Sequence, residues 1–406
     1  MTTDVVTVFL RHGPAVLLLE RSSEVGSYAG QWGAVAGHAE GDPDEAARRE
    51  LREEAGVEDA TVVRRGDPFE VHDPDHGTWR VHPFLVDAES RSVATNWETA
   101  SHEWVPPTEI RRRDTVPDLW ASYDAVRPTV ETVAGDGEHG SAYVSLRALD
   151  VLRDEAALAD DYDDAAAVAR DLRDARPGMA VVRNRVNRAI HEADRTPASV
   201  EASALAVARE AVDADDRAAA RAAAELGDAP TVFTLSRSGT VLAALRAAGP
   251  DRVVVAESRP GGEGVAVAEA LAAEGFDVTL TGDANVPATV TDCDAVLVGA
   301  DAVFPDGTVV NKVGTRAAAL AARDAGVPVL VACAADKIAT EAPPAGETDG
   351  DPAALYDGDA DLAVANPVFE AVPGRLVDAV VTEDGALDGD AVAAAVRERR
   401  GWASWE

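Results

Sequence analysis

The chain has 406 residues, with 73 acidic against 37 basic side chains, a formal charge of −36 and 46% hydrophobic content. That length exceeds what one small sandwich needs and implies two or three domains. The apolar content excludes a disordered acidic polymer, and the lack of a basic stripe argues against nucleic acid as a direct partner.

The first elements are two strands, Val5–Leu10 and Ala15–Arg21, joined by a turn at Arg11-His12-Gly13-Pro14. A helix follows, with Asp42 as N-cap, Pro43 in the first turn and acids near the positive end of the dipole. It carries Arg49, Glu50, Leu51, Glu53 and Glu54 and stops at Gly56. Glu50, Glu53 and Glu54 stand at i, i+3 and i+4, which puts three carboxylates on one patch. Such a patch is either a solvated acidic face or a site for a hard cation, Mg²⁺ or Mn²⁺, that shares its coordination with substrate phosphates. Further strands are expected at Trp79–Val86 and His102–Pro106. Glu98 and Glu103 lie beside the latter, as surface carboxylates or as additional acids of the site. A closing helix is expected from Asp118 to Thr132, and a linker near residues 134 to 140.

From about Ala142 to Ala224 the alanine-rich, Arg/Asp-studded pattern is helical. From residue 231 short apolar runs alternate with helices: Thr231–Leu235, Val253–Ala256, Val278–Leu280, Ala295–Gly299 and Val327–Ala332. That alternation predicts a doubly wound parallel sheet, whose ligands bind beyond the strands' carboxyl ends. Those ends are polar. Ser236-Arg237-Ser238-Gly239-Thr240 can cradle a phosphate at a helix start, and Arg259 can clasp one bidentately. The run from Gly299 through Asp301 to Asn311-Lys312-Val313-Gly314-Thr315 supplies further polar groups.

The stretch Arg49–Val57 resembles the second half of the Nudix box, matching it from Arg49 through Glu50, Leu51, Glu53, Glu54, Gly56 and Val57. In the first half, Gly37 lies two residues too close to Arg49 and Gly41 stands where a glutamate is expected, so the loop is shortened. The second half of the chain resembles the family of initiation factor 2B alpha, beta and delta subunits, ribose-1,5-bisphosphate isomerase and methylthioribose-1-phosphate isomerase. The resemblance rests on Ala175-Arg176-Pro177, the strand-end motifs, Asp336-Lys337, Asn366-Pro367-Val368-Phe369-Glu370 and Thr382-Glu383-Asp384-Gly385. Two departures stand out. Ser236 occupies the place of the isomerases' cysteine, and Glu138-His139-Gly140-Ser141-Ala142 replaces their Arg-Gly-Ala phosphate motif. A serine hydroxyl is far less acidic than a thiol and moves protons only with an adjacent base.

The resemblances imply an α/β protein: a Nudix alpha-beta-alpha sandwich with a mixed sheet over 1–135, a helical subdomain over 136–228 and a Rossmann-like doubly wound domain over 229–406. They imply a Mg²⁺- or Mn²⁺-dependent hydrolase of a nucleoside diphosphate derivative or a phosphorylated ribose diphosphate. Glu53 and Glu54 are its metal ligands, Glu50 is a metal ligand or the catalytic base, and Arg49 orders the carboxylates. In the second half Asp301 is the catalytic position, and Arg176, Ser236, Ser238, Gly239, Arg259, Asn311 and Lys312 hold a sugar phosphate or nucleotide. A non-catalytic regulatory protein and an aldose–ketose isomerase are the alternatives. The implied partner is a small phosphorylated molecule, with homodimerisation through the C-terminal domain.

The only lysines are Lys312 and Lys337, against 35 arginines, and both fall inside these motifs. The acidic balance resembles that of halophile proteins working in multimolar salt, where the Debye length is roughly 3 Å or less. Cys293 and Cys333 are isolated and read as reduced core residues. No leader pattern follows Met1, and no apolar run approaches ~18 residues, so a cytoplasmic protein without a membrane partner is expected.

Overall fold

The computed structural model describes residues 2–58, 60–137, 139–341 and 350–405. Two compact units are present. One comprises Met1–Thr132, Arg147–Ala165 and Arg195–Arg209, and the other Val133–Leu146, Ala166–Asp194 and Glu210–Glu406.

The first unit is built on strands β1 (Thr2–His12), β2 (Ala15–Arg21), β3 (Trp32–Gly33) and β4 (Val35–His38), then helix α1 (Pro43–Ala55). There follow β5 (Ala60–Arg65), β6 (Phe69–Asp73), β7 (Gly77–Ala88), β8 (Thr99–Val105) and α2 (Leu119–Asp124). The eight strands form one sheet along β3-β2-β1-β7-β5, with β4 on β1, β6 on β7 and β8 on β2. It is mixed: β1 runs parallel to β7 from Thr2↔Thr78 to Arg11↔Asp87, and the remaining pairs are antiparallel. Alternate residues of β1 face opposite layers. Val6, Val8 and Leu10 pack with Ala46, Ala47 and Leu51 of α1, while Phe9 packs with Val16, Leu18, Leu119 and Tyr123. The result is a sandwich with α1 on one face and α2 on the other.

The helix expected from Asp118 to Thr132 is instead two short ones, α2 and α3 (Val130–Gly135). Pro128 disfavours helical backbone at Arg127, and α3 restarts where the Thr129 hydroxyl accepts from the Thr132 amide at 3.3 Å. The linker expected at 134–140 takes in the last two residues of α3 and stops just before α4 (Ser141–Leu158), with Glu138 outside the described residues.

A buried ionic cluster holds this unit's β1–β2 turn. Arg153 is 1% exposed and donates to the Pro14 carbonyl at 3.0 Å, to Asp150 at 2.6 Å and to Asp154 at 2.8 Å. The Tyr123 hydroxyl reaches Asp154 at 3.1 Å. Burial raises the Asp154 carboxyl, against the pull of Arg153, and raises the Tyr123 phenol. Arg153→Met should therefore lower unfolding free energy by about 3–5 kcal/mol in chemical denaturation, because it takes from two buried carboxylates the guanidinium they share and leaves Asp150 with Arg147 alone, at 3.1 Å.

The chain continues with α5 (Tyr162–Ala175), α6 (Ala180–His191) and α7 (Pro197–Leu226), of which the second unit holds α5 from Ala166, all of α6 and α7 from Glu210. Alternation then begins: β9 (Thr231–Leu235), α8 (Gly239–Ala248), β10 (Arg252–Ala256), α9 (Glu263–Ala273), β11 (Asp277–Thr281), α10 (Val286–Val290) and β12 (Ala295–Val298). After them come β13 (Ala302–Val303), β14 (Val309–Lys312), α11 (Thr315–Ala325), β15 (Val329–Ala332), β16 (Phe369–Val372), β17 (Ala379–Thr382), β18 (Gly385–Ala386) and α12 (Gly389–Trp402). Seven strands order as β11-β10-β9-β12-β15-β17-β18, parallel up to the antiparallel β17–β18 hairpin. Phe233 and Leu235 belong to one apolar layer and Val232, Val253 and Val255 to the other, as a sheet covered on both sides requires. The strand order reverses between β9 and β12, where such sheets open a crevice at their carboxyl ends. A small antiparallel sheet, β13-β14-β16, adds to the same unit.

Candidate functional site

In the first unit the site is organised by α1. Asp42 caps it, accepting from the Asp44 amide at 3.1 Å, and Gly56 ends it in the left-handed region at φ 66°. Glu50 and Glu54, one turn apart, face inward and are buried, whereas Glu53 is exposed. Glu54 accepts from the Ala36 amide of β4 at 3.1 Å. Arg49 joins Glu50 at 2.9 Å and the His38 carbonyl at 2.8 Å, tying that carboxylate to the same strand.

Gly37 explains how Glu50 fits. A Cβ there would stand 2.1 Å from the Glu50 Cδ, so the carboxyl lies directly on the bare α-carbon. Gly37→Ala should leave the fold standing, since the obstructing group is the end of a flexible side chain, yet displace the Glu50 carboxylate. We expect circular dichroism and melting to change little and any cation-dependent activity to fall roughly 100-fold, the size of effect a misplaced catalytic group of about 1 Å produces.

The electrostatics are those of crowded acid. Burial pushes the Glu54 carboxyl up to about 8, the Ala36 amide opposes this, and Glu98 and Glu50 push it further, with Arg21 pulling down. Glu98 therefore lies close enough to act on the Glu54 carboxylate as a like charge. Glu103 is half-exposed and paired with Arg113 at 2.5 Å. Among the described residues no ready-made group of three metal-ligating side chains exists. The donor chemistry nonetheless fits a hard divalent cation: Glu50, Glu53 and Glu54 offer only oxygens, and the buried Glu54 carboxyl is crowded by the like charges of Glu98 and Glu50.

In the second unit the candidate residues gather at the carboxyl ends of β9, β10 and β12. Ser236 follows β9 with φ 65°, and Ser258 follows β10 with φ 67°, both in the left-handed region that non-glycine residues seldom occupy. The Ser258 hydroxyl accepts from the Ser236 amide at 2.7 Å, while Asp283 accepts from the Ser258 and Arg259 amides at 2.9 Å and 2.6 Å. Ser238 caps α8, accepting from the Val241 amide at 3.4 Å, and Gly239 is that helix's first residue. Arg259 is exposed and pairs with Glu257 at 3.2 Å.

Asp301 precedes the β13–β14 hairpin and its backbone amide donates to the Val310 carbonyl at 2.8 Å. Its Oδ1 accepts from the Ser141 hydroxyl at 2.7 Å. Both lysines are buried here. Lys337 Nζ donates to the Ala300 carbonyl at 2.6 Å, fixing the residue before Asp301, and Lys312 Nζ pairs with Glu263 at 2.8 Å. Asn311 donates to the Thr315 hydroxyl at 3.0 Å. Arg176 lies apart in bonding, donating to the Ala134 carbonyl at 3.0 Å.

Residues 137–389 match the family model of the initiation factor 2 subunit family. The chain belongs to that family. Ahead of the family domain, residues 1–126 match the NUDIX domain. Ribose 1,5-bisphosphate isomerase of Haloferax volcanii is 33% identical over 308 residues, 68% of this chain and 94% of the relative. Methylthioribose-1-phosphate isomerase of Dechloromonas aromatica is 38% identical over 165 residues, 36% of this chain and 46% of the relative. Among solved structures, the translation initiation factor eIF-2B of Pyrococcus horikoshii OT3 is 23% identical with a TM-score of 0.56, over 64% of this chain and 94% of that one. The 5-methylthioribose 1-phosphate isomerase of the same organism is 17% identical with a TM-score of 0.53, over 74% of this chain and 89% of that one. These last two likenesses are of fold.

The initiation factor 2 family domain also contains site residues that sequence reasoning passed over. Glu263 opens α9 and reaches both Ser236, at 3.0 Å, and Lys312. Glu370 accepts from the Gly314 and Arg316 amides at 2.7 Å and 3.0 Å, filling the start of α11 with protein charge. Asp283 organises the β10 loop. The usable signal is shared: each is an acid at the mouth of the parallel sheet.

Proposed function

We propose that the chain is a Nudix-type hydrolase of a diphosphate linked to a second group, joined to an initiation factor 2B-like unit that binds a phosphorylated ribose or nucleotide. The observation carrying the first part is the seat of Glu50 on the bare Gly37 α-carbon, with Glu54 buried alongside: a helix whose acids were only solvated would need neither. Glu50, Glu53 and Glu54 would hold Mg²⁺ or Mn²⁺. When bound, that ion supplies Lewis-acid polarisation of a phosphoryl oxygen and a more acidic water. Arg49 keeps the Glu50 carboxylate on β4, and the Ala36 amide fixes one oxygen of Glu54, so the remaining carboxylate oxygens would be the ones offered to the cation.

In the second unit Ser236, Ser238, Gly239, Arg259, Asn311, Lys312 and Asp301 line the strand ends, with Arg176 on α5's exit. The relatives named as isomerases of ribose 1,5-bisphosphate and methylthioribose 1-phosphate favour a ribose phosphate as the ligand class. A phosphorylated ribose diphosphate would link the halves, since its hydrolysis yields such a ligand. The protein would act as a homodimer in the cytoplasm of a halophile. No described helix is long and apolar enough to cross a membrane.

The test is phosphate release from a panel of diphosphates in multimolar KCl with Mg²⁺. Release that disappears in Glu53→Gln and Glu54→Gln is the expected result, and no turnover of any diphosphate refutes it. A regulatory, non-hydrolytic first unit is the second reading, favoured by the engagement of Glu50 Oε1 with Arg49.

A further inference from the structure

Ser236 is not an isolated hydroxyl. Its Oγ donates to Glu263 Oε1 at 3.0 Å, and the same oxygen receives Lys312 Nζ at 2.8 Å. Lys312 is 3% exposed, and Glu263 Oε2 is buried against Gly261 with no hydrogen-bond partner among the described residues. A chain of hydroxyl, carboxylate and ammonium is thus assembled from the ends of β9, α9 and β14. Ser236 is held there in a left-handed backbone that a serine adopts at a cost of order 1–3 kcal/mol, a strain typical of positions where the surroundings over-determine the geometry.

A serine hydroxyl by itself neither accepts nor releases protons near neutrality, but one hydrogen-bonded to a carboxylate can pass a proton through. We propose that Glu263 is the proton acceptor for Ser236, and that the Ser236–Glu263–Lys312 chain moves the carbon-bound proton of a ribose phosphate in the second unit. This rests on the sugar-phosphate reading above and adds catalysis to it.

The step balances without a co-reactant. In a ribose 1-phosphate ester the C1–O4 bond breaks with its electron pair going to O4, which takes a proton from Asp301. The C2–H bond breaks, its pair forms C1=C2, and the electrons of the transient C1=O bond return to the phosphate-bearing O1. The C2 proton passes to Ser236 Oγ as the serine's own proton passes to Glu263. The reverse transfer delivers a proton from Glu263 through Ser236 to C1, while the O2 hydroxyl returns its proton to Asp301 and C2 becomes a carbonyl. The product is the 2-ketose phosphate, and both carboxyls end as they began. Lys312 holds the Glu263 carboxylate toward Ser236. Glu263 acts through Ser236, so it is a positioning residue and proton store.

The experiment uses the full chain in multimolar KCl in ²H₂O, with ribose 1,5-bisphosphate as the probe. Calorimetry follows its binding, and proton and phosphorus NMR follow deuterium exchange and ketose formation. We expect the wild type to bind and convert it, Glu263→Gln to bind it with conversion reduced about 100-fold or more, and Glu263→Asp to retain part of the rate. The deciding comparison is made in a Ser236→Cys background. A thiol ionises without a carboxylate neighbour, so Glu263→Gln should cost little there. An equal loss in both backgrounds means that Glu263 only neutralises Lys312, and overturns the proposal. Binding without exchange or conversion by the wild type overturns it too while leaving the sugar-phosphate reading intact, whereas no binding at all overturns that reading itself.

Discussion

Glu54→Gln should flatten a loss of stability that the wild type suffers as pH rises from about 4.5 to about 8 in metal-free buffer. The sign follows from the direction of the shift. Burial raises the carboxyl above its ordinary value, so the folded state binds this proton more tightly than the unfolded state. Below the unfolded value both states carry the proton and the stabilisation is whole. As pH climbs toward the folded value the unfolded chain gains by ionising and the folded one does not, so stability declines, and above that value the decline stops. Each tenfold difference in proton affinity is worth ~1.4 kcal/mol, which sets a ceiling of about 5 kcal/mol on this group's contribution. The readout is the difference between wild-type and Glu54→Gln denaturation midpoints across pH, in concentrated KCl to screen the remaining acids. Added Mg²⁺ should restore wild-type stability at the alkaline end, because a cation favours the ionised carboxylate, and should leave Glu54→Gln unmoved. A wild-type and mutant pair with parallel pH profiles would contradict the buried, acid-crowded environment of Glu54.

Why some of this was legible in the sequence and some was not can be traced to particular residues. The parallel strands of the second unit announce themselves because burial on both faces demands continuous apolar runs such as Val253–Ala256. The small β13-β14-β16 sheet does not, since β13 has two residues and β14 ends in Asn311-Lys312, a polar pair whose burial depends on Thr315 and Glu263. On α1 the i, i+3, i+4 spacing locates the acids but not their orientation. Glu53 points outward, while Glu50 turns in because Gly37 gives it room. The shortened loop shifts Gly37 by two residues in sequence, yet β4 pairing with β1, with Gly37 opposite Val6, still carries it to Glu50. The two lysines were visible as an oddity of composition, and their reason is spatial: each is buried with one acceptor at the strand ends. Glu263 was hidden by its setting. In Pro260-Gly261-Gly262-Glu263-Gly264 it reads as a turn acid, and only the fold brings it across to Ser236.

That same turn carries the largest expected steric effect. Gly264→Ala should destabilise the second unit by about 3 kcal/mol or more, the upper range for forcing extra volume into a packed site. A Cβ on Gly264 would lie 1.8 Å from the Ala256 carbonyl oxygen and 2.9 Å from the Ser258 hydroxyl. The first of these is backbone at the end of a central strand and cannot rotate away, unlike the side-chain obstruction at Gly37. Relief would require α9 to lift from β10, and Glu263, its first residue, would leave Ser236 and Lys312. Two readouts should therefore fall together: the denaturation midpoint of the second unit and the affinity for a ribose phosphate. Gly389→Ala is the matched control. It too sits at a helix start, nothing lies within 4 Å of its added methyl, and its backbone is outside the left-handed region. Reduced freedom of the unfolded chain should make that variant neutral or stabilised by about 0.5 kcal/mol. Equal behaviour of the two alanine variants would mean that α9 does not rest on β10 at Gly264, and the placement of Glu263 beside Ser236 would fall with it.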